Sequence, residues 1–193
     1  MSLARTTKLE AVNVMLSVIG ESPVNTLGGT SKPVSVVTAE NNLDEVNRQV
    51  QSLGWHFNTE HEYTLTKDSL GNITLAANVL KVDAAAGDHT DLDLVQRGNQ
   101  LYDRKEHTDV FTADLKVTIT FLLDFTSIPE QFRNYITIKA ARMFANRFIG
   151  SREIEGFTLR DEIDAKASAI DADSDSGDLT IFDNYDVFRV VDR

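Results

Sequence analysis

The residues whose types could do chemistry are a few acids and histidines in the middle of the chain. Glu60 and Glu62 lie two positions apart in a strand-like region, so they would share one face with their Cα atoms ~6.6 Å apart. Glycoside hydrolases use two carboxylates at comparable separations as acid and base or nucleophile. Exposed strands also carry such pairs frequently, so this spacing alone is a weak indication of a hydrolase.

Two other groups of residues could bind metal. His56 and His61 are five positions apart, which fits neither one helix face nor one strand face and so does not indicate zinc. Residues 171–182 resemble a calcium loop, but the sixth and twelfth positions are Ser176 and Phe182, where such a loop needs glycine and a bidentate acid. Signatures of phosphate-binding loops, dinucleotide sites and nucleophile elbows are absent. We therefore predict no enzymatic activity, no catalytic residue, no cofactor and no metal.

Composition excludes several further classes of protein. With 193 residues, of which 41% are apolar and 25% charged, the chain can bury one real core. It has no cysteine, which excludes a disulfide scaffold and thiol catalysis. The formal charge of −11 argues against a conventional nucleic-acid binder, since phosphate neutralisation needs a basic face. No apolar run approaches the ~20 residues that span a bilayer, so we expect cytoplasmic synthesis and no membrane insertion.

The stretch around which these residues must be organised is 127–150, SIPEQFRNYITIKAARMFANRFIG. Ser127 and Glu130 have capping-box spacing, Pro129 suits a first turn, and Gly150 suits a helix end. Between these ends, apolar residues cover both sides of the helix, which is typical of a helix buried among other elements. We predict that this is the central helix of the fold.

The same helix is basic within an acidic chain. Arg133, Lys139, Arg142 and Arg147 against Glu130 give it a local charge of +3. One interpretation is that the long basic stems lie along apolar surface with their charged ends in water. The other is that Arg133, Arg142 and Arg147 contact acidic groups of a neighbouring subunit.

Two helices are predicted before this stretch. Thr7 and Glu10 form a capping box for a helix over residues 8–19. A second helix follows three-four apolar spacing after Ser35, a plausible N-cap, and ends before Gly54. Gly54 would take the left-handed position and let Trp55 pack back on the helix, as an anchor rather than a ligand platform.

Between the helices the apolar residues no longer recur about every 3.6 residues, as in a helix, but every second residue, as in a strand. Short apolar alternations over residues 58–126 predict antiparallel strands, including one around Ile73 and Leu75, one extending through Leu123, and a hairpin across Arg97 and Gln100. This region has six basic and twelve acidic residues, so we expect a solvated acidic outer side.

After the central helix we expect a short connector over residues 151–156, either irregular or helical, and then a fourth helix over residues 159–172, with Thr158 and Asp161 as a cap-like pair. The last residues alternate aromatic and charged side chains. They predict an extended arm anchored by Phe182, Tyr185 and Phe188 on its own subunit or on an adjacent component.

The predicted fold class is therefore α+β: a four-helix bundle with an inserted small antiparallel β-sheet module and an extended C-terminal arm. The expected division places the first helical pair in residues 1–57 and the β-sheet insertion in 58–127. The second helical pair occupies 128–172 and the arm 173–193.

Several strings resemble the tail tubular protein A family of short-tailed, podovirus-type bacteriophages. They are LEAVNVMLSVIGESPVNTL at residues 9–27, VNRQVQSLGWHFNT at 46–59, LYDR at 101–104, residues 108–111, and FRNYITIKAARMFANRFIG at 132–150. The resemblance covers most of the first 155 residues and is weakest in the C-terminal tail.

This resemblance implies a structural virion protein of the tail, the adaptor of the head-to-tail connector. Members of the family form a twelve-fold ring beneath the portal protein and above the tail nozzle, tail tubular protein B, and double-stranded DNA passes through the ring without specific binding during ejection. The alternative that the residues leave open is a virion-associated glycan hydrolase using Glu60, Glu62 or nearby acids.

Overall fold

The computed structural model describes residues 4–29, 32–85, 91–148 and 152–177, and for residues 152–158 it describes the backbone alone. The described chain is a mixed α+β structure, as predicted, with four helices and small antiparallel sheets. The helices are α1 (Lys8–Val18), α2 (Val34–Gln51), α3 (Glu130–Phe148) and α4 (Arg152–Ser176). The strands are β1 (Thr59–Leu65), β2 (Val79–Ala84), β3 (Leu94–Arg97), β4 (Gln100–Asp103) and β5 (Leu115–Phe121).

The chain divides into two compact units, and the division falls inside helix α2. The first unit contains the described parts of Met1–Leu43 and Pro129–Arg193, and the second is the described part of Asp44–Ile128. We call them the helical unit and the β unit. The division of the chain at residues 57, 127 and 172, drawn from the sequence, stays a prediction.

Helix α1 begins at the capping box that the sequence predicts. The Glu10 N–H donates to Thr7 Oγ1 at 3.2 Å, and the Thr7 N–H donates to Glu10 Oε2 at 2.8 Å. These bonds to Thr7, first the one from its backbone, hold the pKa of Glu10 below its usual 4.5. The helix ends at Val18, and Gly20 follows with a φ of +77°. The predicted extent of the first helix is confirmed to within one residue.

Helix α2 is confirmed, but its predicted N-cap is wrong. The helix begins at Val34, one residue before Ser35. The Ser35 hydroxyl donates instead to Glu21 Oε2 at 2.6 Å, a partner in the preceding loop. At the other end Gly54 has a φ of +77°, as predicted, and the Trp55 Nε1–H donates to the Val50 carbonyl at 2.7 Å. Trp55 is thereby fixed against the last turn of the helix.

Helix α3 is confirmed with its broad apolar surface, and it packs on α1 and α4 within the helical unit. Its predicted capping box is wrong, because Glu130 is the first helical residue and its carboxylate accepts from the N–H and hydroxyl of Thr6. Ser127 lies in a short 3-10 turn, and Gly150 lies outside the described residues. The apolar side chains that α3 buries are Phe132, Tyr135, Ile136, Ala140, Ala141, Phe144 and Ala145.

Helix α4 is longer at both ends than the predicted 159–172. It begins at Arg152, within the expected connector, so the prediction that Thr158 and Asp161 cap its start is wrong. It continues to Ser176, and the hydroxyl of Ser176 donates to the Ala172 carbonyl at 2.8 Å. The described part of the calcium-loop-like segment is therefore helical up to Ser176, which is not the backbone of a calcium loop.

The β unit contains a three-stranded antiparallel sheet in the order β1-β5-β2. The predicted strand around Ile73 and Leu75 is replaced by isolated bridges, although both side chains are almost fully buried. Strand β5 ends at Phe121 rather than extending to Leu123. The apolar core beneath the sheet contains Leu65, Ile73, Leu75, Val79, Val82, Leu94, Leu101, Phe111, Leu115, Val117 and Ile119.

The predicted hairpin is confirmed. Strands β3 and β4 pair antiparallel around the turn at Gly98 and Asn99, and Gly98 has a φ of +61°. At its base Asp103 is only 1% exposed, and its Oδ1 accepts from the backbone N–H of Asp93 at 3.1 Å and of Lys105 at 2.9 Å. This carboxylate therefore holds together the two ends of the hairpin.

Buried amide side chains join the end of helix α2 to the residues at the end of strand β5. The Leu123 N–H donates to Gln51 Oε1, and the Gln51 Nε2 donates back to the Leu123 carbonyl, both at 2.8 Å. The Asn58 Nδ2 donates to the Phe121 carbonyl at 2.8 Å and to the Gln51 carbonyl at 3.0 Å. Gln51 is fully buried and Asn58 is 3% exposed. Because Gln51 occupies the peptide groups of Leu123, that residue cannot continue the β5 ladder.

We predict that Gln51→Met lowers the free energy of unfolding of the β unit by about 1–3 kcal/mol, because it removes the acceptor of the part-buried Leu123 N–H and one of the two donors to the Leu123 carbonyl. The single tryptophan, Trp55, reports on this unit, so urea unfolding followed by its fluorescence measures the loss. Gln49→Met is the matched control, since Gln49 lies on the same helix with an exposed side chain. Equal midpoints for wild type and Gln51→Met would contradict the assignment.

We also predict that the stability of the β unit depends on the ionisation of Asp103. Burial alone would raise the pKa of Asp103, but backbone N–H donors from Lys105, Asp93 and Glu106 outweigh it, so the pKa lies below the usual 3.8. A carboxyl with a depressed folded-state pKa stabilises the fold at neutral pH, and this stabilisation is lost as the pH falls through 3.8 and below.

In the variant Asp103→Asn the unfolding midpoint at neutral pH should fall, and its difference from wild type should shrink as the pH is lowered below 4. Fluorescence-detected urea unfolding between neutral pH and pH ~3 measures both effects. Asp91→Asn removes an exposed carboxyl from a nearby loop and serves as the control. A difference between Asp103→Asn and wild type that is constant with pH would refute the role of ionisation.

Candidate functional site

The carboxylates Glu60 and Glu62 lie on the exposed strand β1. The pairing of β1 with β5 shifts register between Glu60 and Tyr63, and Glu62 has a φ of +54°. This bulge interrupts the period of two on which a shared face depends. Glu62 Oε2 lies 3.6 Å from Lys116 Nζ, in an exposed ion pair. A general acid needs a desolvated carboxyl, which neither of these exposed side chains provides.

Neither histidine belongs to a metal-binding group in the part of the chain that the structure describes. His61 is exposed, with its Nδ1 3.4 Å from Thr118 Oγ1, and His56 opens the short 3-10 turn after Trp55. Within residues 4–29, 32–85, 91–148 and 152–177, no group of three or more histidine, aspartate or glutamate side chains is placed to hold a metal ion.

A shallow groove crosses the polar face of the three-stranded sheet. Its volume is ≈340 Å³, and its lining includes three threonines, one lysine and one aspartate. Neither Glu60 nor Glu62 lines this groove, so it does not supply the carboxylate pair of a glycan hydrolase. The lining residues are Leu53, Gly54, Thr59, His61, Lys81, Asp83, Ala84, Thr118 and Thr120.

The three arginines predicted to contact a neighbouring subunit have partners within the helical unit. Arg133 is 3% exposed, and its Nη1 donates to the Thr6 carbonyl at 2.8 Å. Arg147 Nη1 donates to Asn42 Oδ1 at 2.7 Å. Arg142 pairs with Glu162 of helix α4. That these arginines also contact a second subunit stays a prediction.

The Arg142–Glu162 pair joins α3 to α4 beside a buried phenol. Both charged side chains are mostly buried, with 22% and 13% of their surface exposed. Burial raises the pKa of Tyr135 above its usual 10.0, and the nearby Glu162 raises it further, while Arg142 acts in the opposite direction. The charged pair therefore lies in a partly desolvated environment, where each charge depends on its partner.

Two loops of the β unit, tied to each other by a backbone hydrogen bond, expose apolar side chains. We call Leu70 and Val110 the tip patch; they are 75% and 52% exposed. The Phe111 N–H donates to the Gly71 carbonyl at 2.8 Å, which ties the two loops together. Gly71 has a φ of +90°, and a Cβ there would lie 2.7 Å from Val110 Cγ1, so only glycine fits this close approach.

Helix α4 exposes a second apolar surface. Leu159, Ile163 and Ile170 are 44%, 58% and 43% exposed, and their spacing places them on one side of the helix. We call these three residues the α4 stripe. The predicted anchors Phe182, Tyr185 and Phe188 lie outside the described residues.

Sequence reasoning missed the tip patch and the amide network. The tip patch could have been predicted from Leu70, an apolar residue inside the turn sequence DSLGN. The amide network could have been predicted from Asn47 and Gln51, which lie four residues apart on the buried face of α2. In the structure the Gln51 Nε2 donates to Asn47 Oδ1 at 2.8 Å. Polar residues on an otherwise apolar helix face indicate a buried partner.

Comparison with known proteins decides the family. The model of a family described as tail tubular protein matches residues 9–179. The chain belongs to the tail tubular protein family. It is also 32% identical over 160 residues to tail tubular protein A of Klebsiella phage KP34, an alignment that covers 80% of this chain and 81% of that protein. The resemblance noted in the sequence is thereby confirmed.

Membership of the tail tubular protein family makes this chain a structural component of a phage tail. The match to the family covers most of both units.

Across the described residues, none of the helices has the length and apolar character needed to cross a membrane.

We predict that Arg142→Glu destabilises the helical unit by on the order of 2 kcal/mol, between the values for exposed and buried pairs, because it opposes two carboxylates. Thermal unfolding followed by helical circular dichroism measures the loss. The double variant Arg142→Glu/Glu162→Arg should recover most of it. If the double variant is less stable than Arg142→Glu, the pair does not make the contribution assigned to it.

Proposed function

We propose that this protein is the adaptor of the head-to-tail connector, forming a ring between the portal protein and the tail nozzle. The observation that carries the proposal is the family match over residues 9–179. Because the match runs through both units, the adaptor role is assigned to the whole described chain rather than to an appended module.

The ring is proposed to contain twelve copies. Neighbours in a closed ring meet through two different surfaces of the same chain, so each copy must carry at least two contact regions. The tip patch supports this arrangement, since it holds two large apolar side chains in solvent on loops tied to each other. In a separate monomer this exposure contributes nothing to folding.

The ring is further proposed to form part of the DNA ejection channel. Twelve copies of a chain with a formal charge of −11 carry −132. Acidic side chains facing the lumen would repel the phosphate backbone, so duplex DNA would pass the wall without binding to it. The exposed positions of Glu60 and Glu62 on β1 support a solvated acidic surface.

Three features predicted from the sequence belong to the same proposal. One is that the four helices form a bundle, a proposal that the packing of α3 on α1 and α4 supports. Phe182, Tyr185 and Phe188 anchor an extended arm, and Arg133, Arg142 and Arg147 lie near the surfaces between subunits.

Electron microscopy of the purified chain, alone and mixed with portal protein, tests the proposal. We expect ring-shaped particles of twelve subunits that stack on the portal. The rings should not retain duplex DNA at physiological salt in a filter-binding assay. A chain that stays monomeric with both portal and nozzle present, or a ring that binds DNA with steep salt dependence, would overturn the adaptor role.

We predict that the double variant Leu70→Ser/Val110→Ser forms fewer rings while its urea unfolding midpoint stays near that of wild type. The tip patch is exposed in the single chain, so its loss costs the monomer little. Leu53→Ser is the matched control, because Leu53 is 65% exposed in the same unit but lies outside the patch. Ring yields that fall equally for the control and the double variant would contradict the role of the tip patch.

A further inference from the structure

The α4 stripe contains a hole between two of its three side chains. Ile163 and Ile170 lie seven residues apart on one side of the helix, ~10.5 Å along its axis. Between them on that side are Lys166 and Ala167, and all four residues are exposed. Residues spaced three and four apart on a helix surround a hole that can receive one large side chain of a packing partner. Alanine, the smallest of the four, forms the floor of this hole.

The tip patch presents a side chain of suitable size on a fixed turn. The Leu70 N–H donates to Asp68 Oδ1 at 2.8 Å, and the Asn72 N–H donates to the same oxygen at 2.9 Å. The Gly71 N–H donates to the Asp68 carbonyl at 3.1 Å. Leu70 is nevertheless 75% exposed. Because the turn is already ordered, its backbone loses little conformational entropy when Leu70 binds a partner.

The surroundings of the tip patch are acidic. Its two loops, residues 67–72 and 105–114, contain two lysines and four acids. Asp109 directly precedes Val110 and is exposed, and it has no ion-pair partner within the described residues. An unpaired carboxylate therefore lies at the edge of the patch.

The rim of the hole on α4 is basic. Lys166 and Arg160 are exposed and lie ~40° and ~80° around the helix from the centre of the stripe. The exposed acids of the same part of α4, Asp161 and Asp164, lie ~120° or more away. Lys166 has no ion-pair partner in the part of the chain that the structure describes. The two surfaces are thus complementary in charge as well as in shape.

We propose that Leu70 of one copy inserts into this hole on a neighbouring copy, between Ile163 and Ile170, with Asp109 facing Lys166. The contact joins two different surfaces of the same chain, which is the kind of contact that closes a ring. Each surface lies wholly within one unit, so the proposal requires no particular arrangement of the two units. The inference rests on the proposed ring, because it names the second of the two contact regions that the ring needs.

Filling the hole tests the contact in the full-length chain. Ala167→Leu should lower the ring yield with portal protein about tenfold, the order expected for one buried leucine side chain. Its urea unfolding midpoint should stay near that of wild type, because Ala167 is exposed in the single chain. Ser168→Leu is the matched control, since Ser168 is exposed on the other side of the same helix and should leave the ring yield unchanged.

Exchanging the large and the small residue distinguishes direct contact from a general effect of the substitution. In Leu70→Ala/Ala167→Leu the leucine projects from the helix and the alanine receives it, so most of the ring yield should return. If Ala167→Leu lowers the yield and Leu70→Ala does not restore it, the hole receives some other partner and the proposed pairing is wrong.

Cross-linking measures the same contact in solution without requiring a complete ring. The chain contains no cysteine of its own, so a Ser69→Cys chain can be mixed with an Ala167→Cys chain and treated with a short bis-maleimide. We expect about fivefold more product than from a mixture of Ser69→Cys with Ser168→Cys. Lys166→Asp in the second chain should lower this yield, and Asp109→Lys in the first chain should restore it.

The outcomes separate this pairing from the adaptor role. Normal ring yield from Ala167→Leu, equal cross-linking of the two mixtures, or linkage mainly between two Ser69→Cys chains would each overturn the pairing and leave the adaptor role intact. Wild-type chains that form no ring with portal protein would overturn the adaptor role, whereas the cross-linking yields would still decide whether Leu70 occupies the hole.

Discussion

Four hydrogen bonds between buried amides and backbone hold together the two ends of the β unit. Gln51, at the end of α2, exchanges two of them with the peptide groups of Leu123, just beyond β5. Asn58 adds one to the Phe121 carbonyl and one to the Gln51 carbonyl. The hydrophobic effect that stabilises the core beneath the sheet has no preferred direction, so the positions of the two ends of the unit depend on how their peptide groups are hydrogen-bonded. A buried amide is favourable only when all its groups are bonded, and this requirement selects one arrangement of helix end and strand end.

Local signals in the sequence were sufficient where both partners lie within a few residues. Thr7 and Glu10 form their capping box within one turn, and Gly54 with Trp55 ends α2 as expected. The turn at Gly98 defines its hairpin in the same way. In each case the interaction that decides the backbone conformation is contained in the local sequence.

Long-range partners explain what could not be predicted. Glu130 has the right spacing from Ser127 for a capping box, but it binds Thr6, which is 124 residues away in sequence. The sequence does not indicate a partner for Arg142, and in the structure its partner is Glu162 of helix α4. The position of Gln51 on the buried face of α2 indicates a buried partner, but nothing in the local sequence identifies that partner as Leu123. The helices and the hairpin were therefore predictable, whereas the closures between them, and the tip patch that two loops form together, were not.

Gln51 closes the β unit, and hydrogen exchange at the Leu123 amide measures this closure. That N–H lies outside any strand ladder and donates to the Gln51 side chain. In the wild-type chain, NMR-detected exchange at Leu123 should be as slow as exchange at the amides of β5, because both open only with the unit. In Gln51→Met it should become much faster while the β5 amides stay protected. Rapid exchange at Leu123 in the wild-type chain, or unchanged protection in the variant, would contradict the claim.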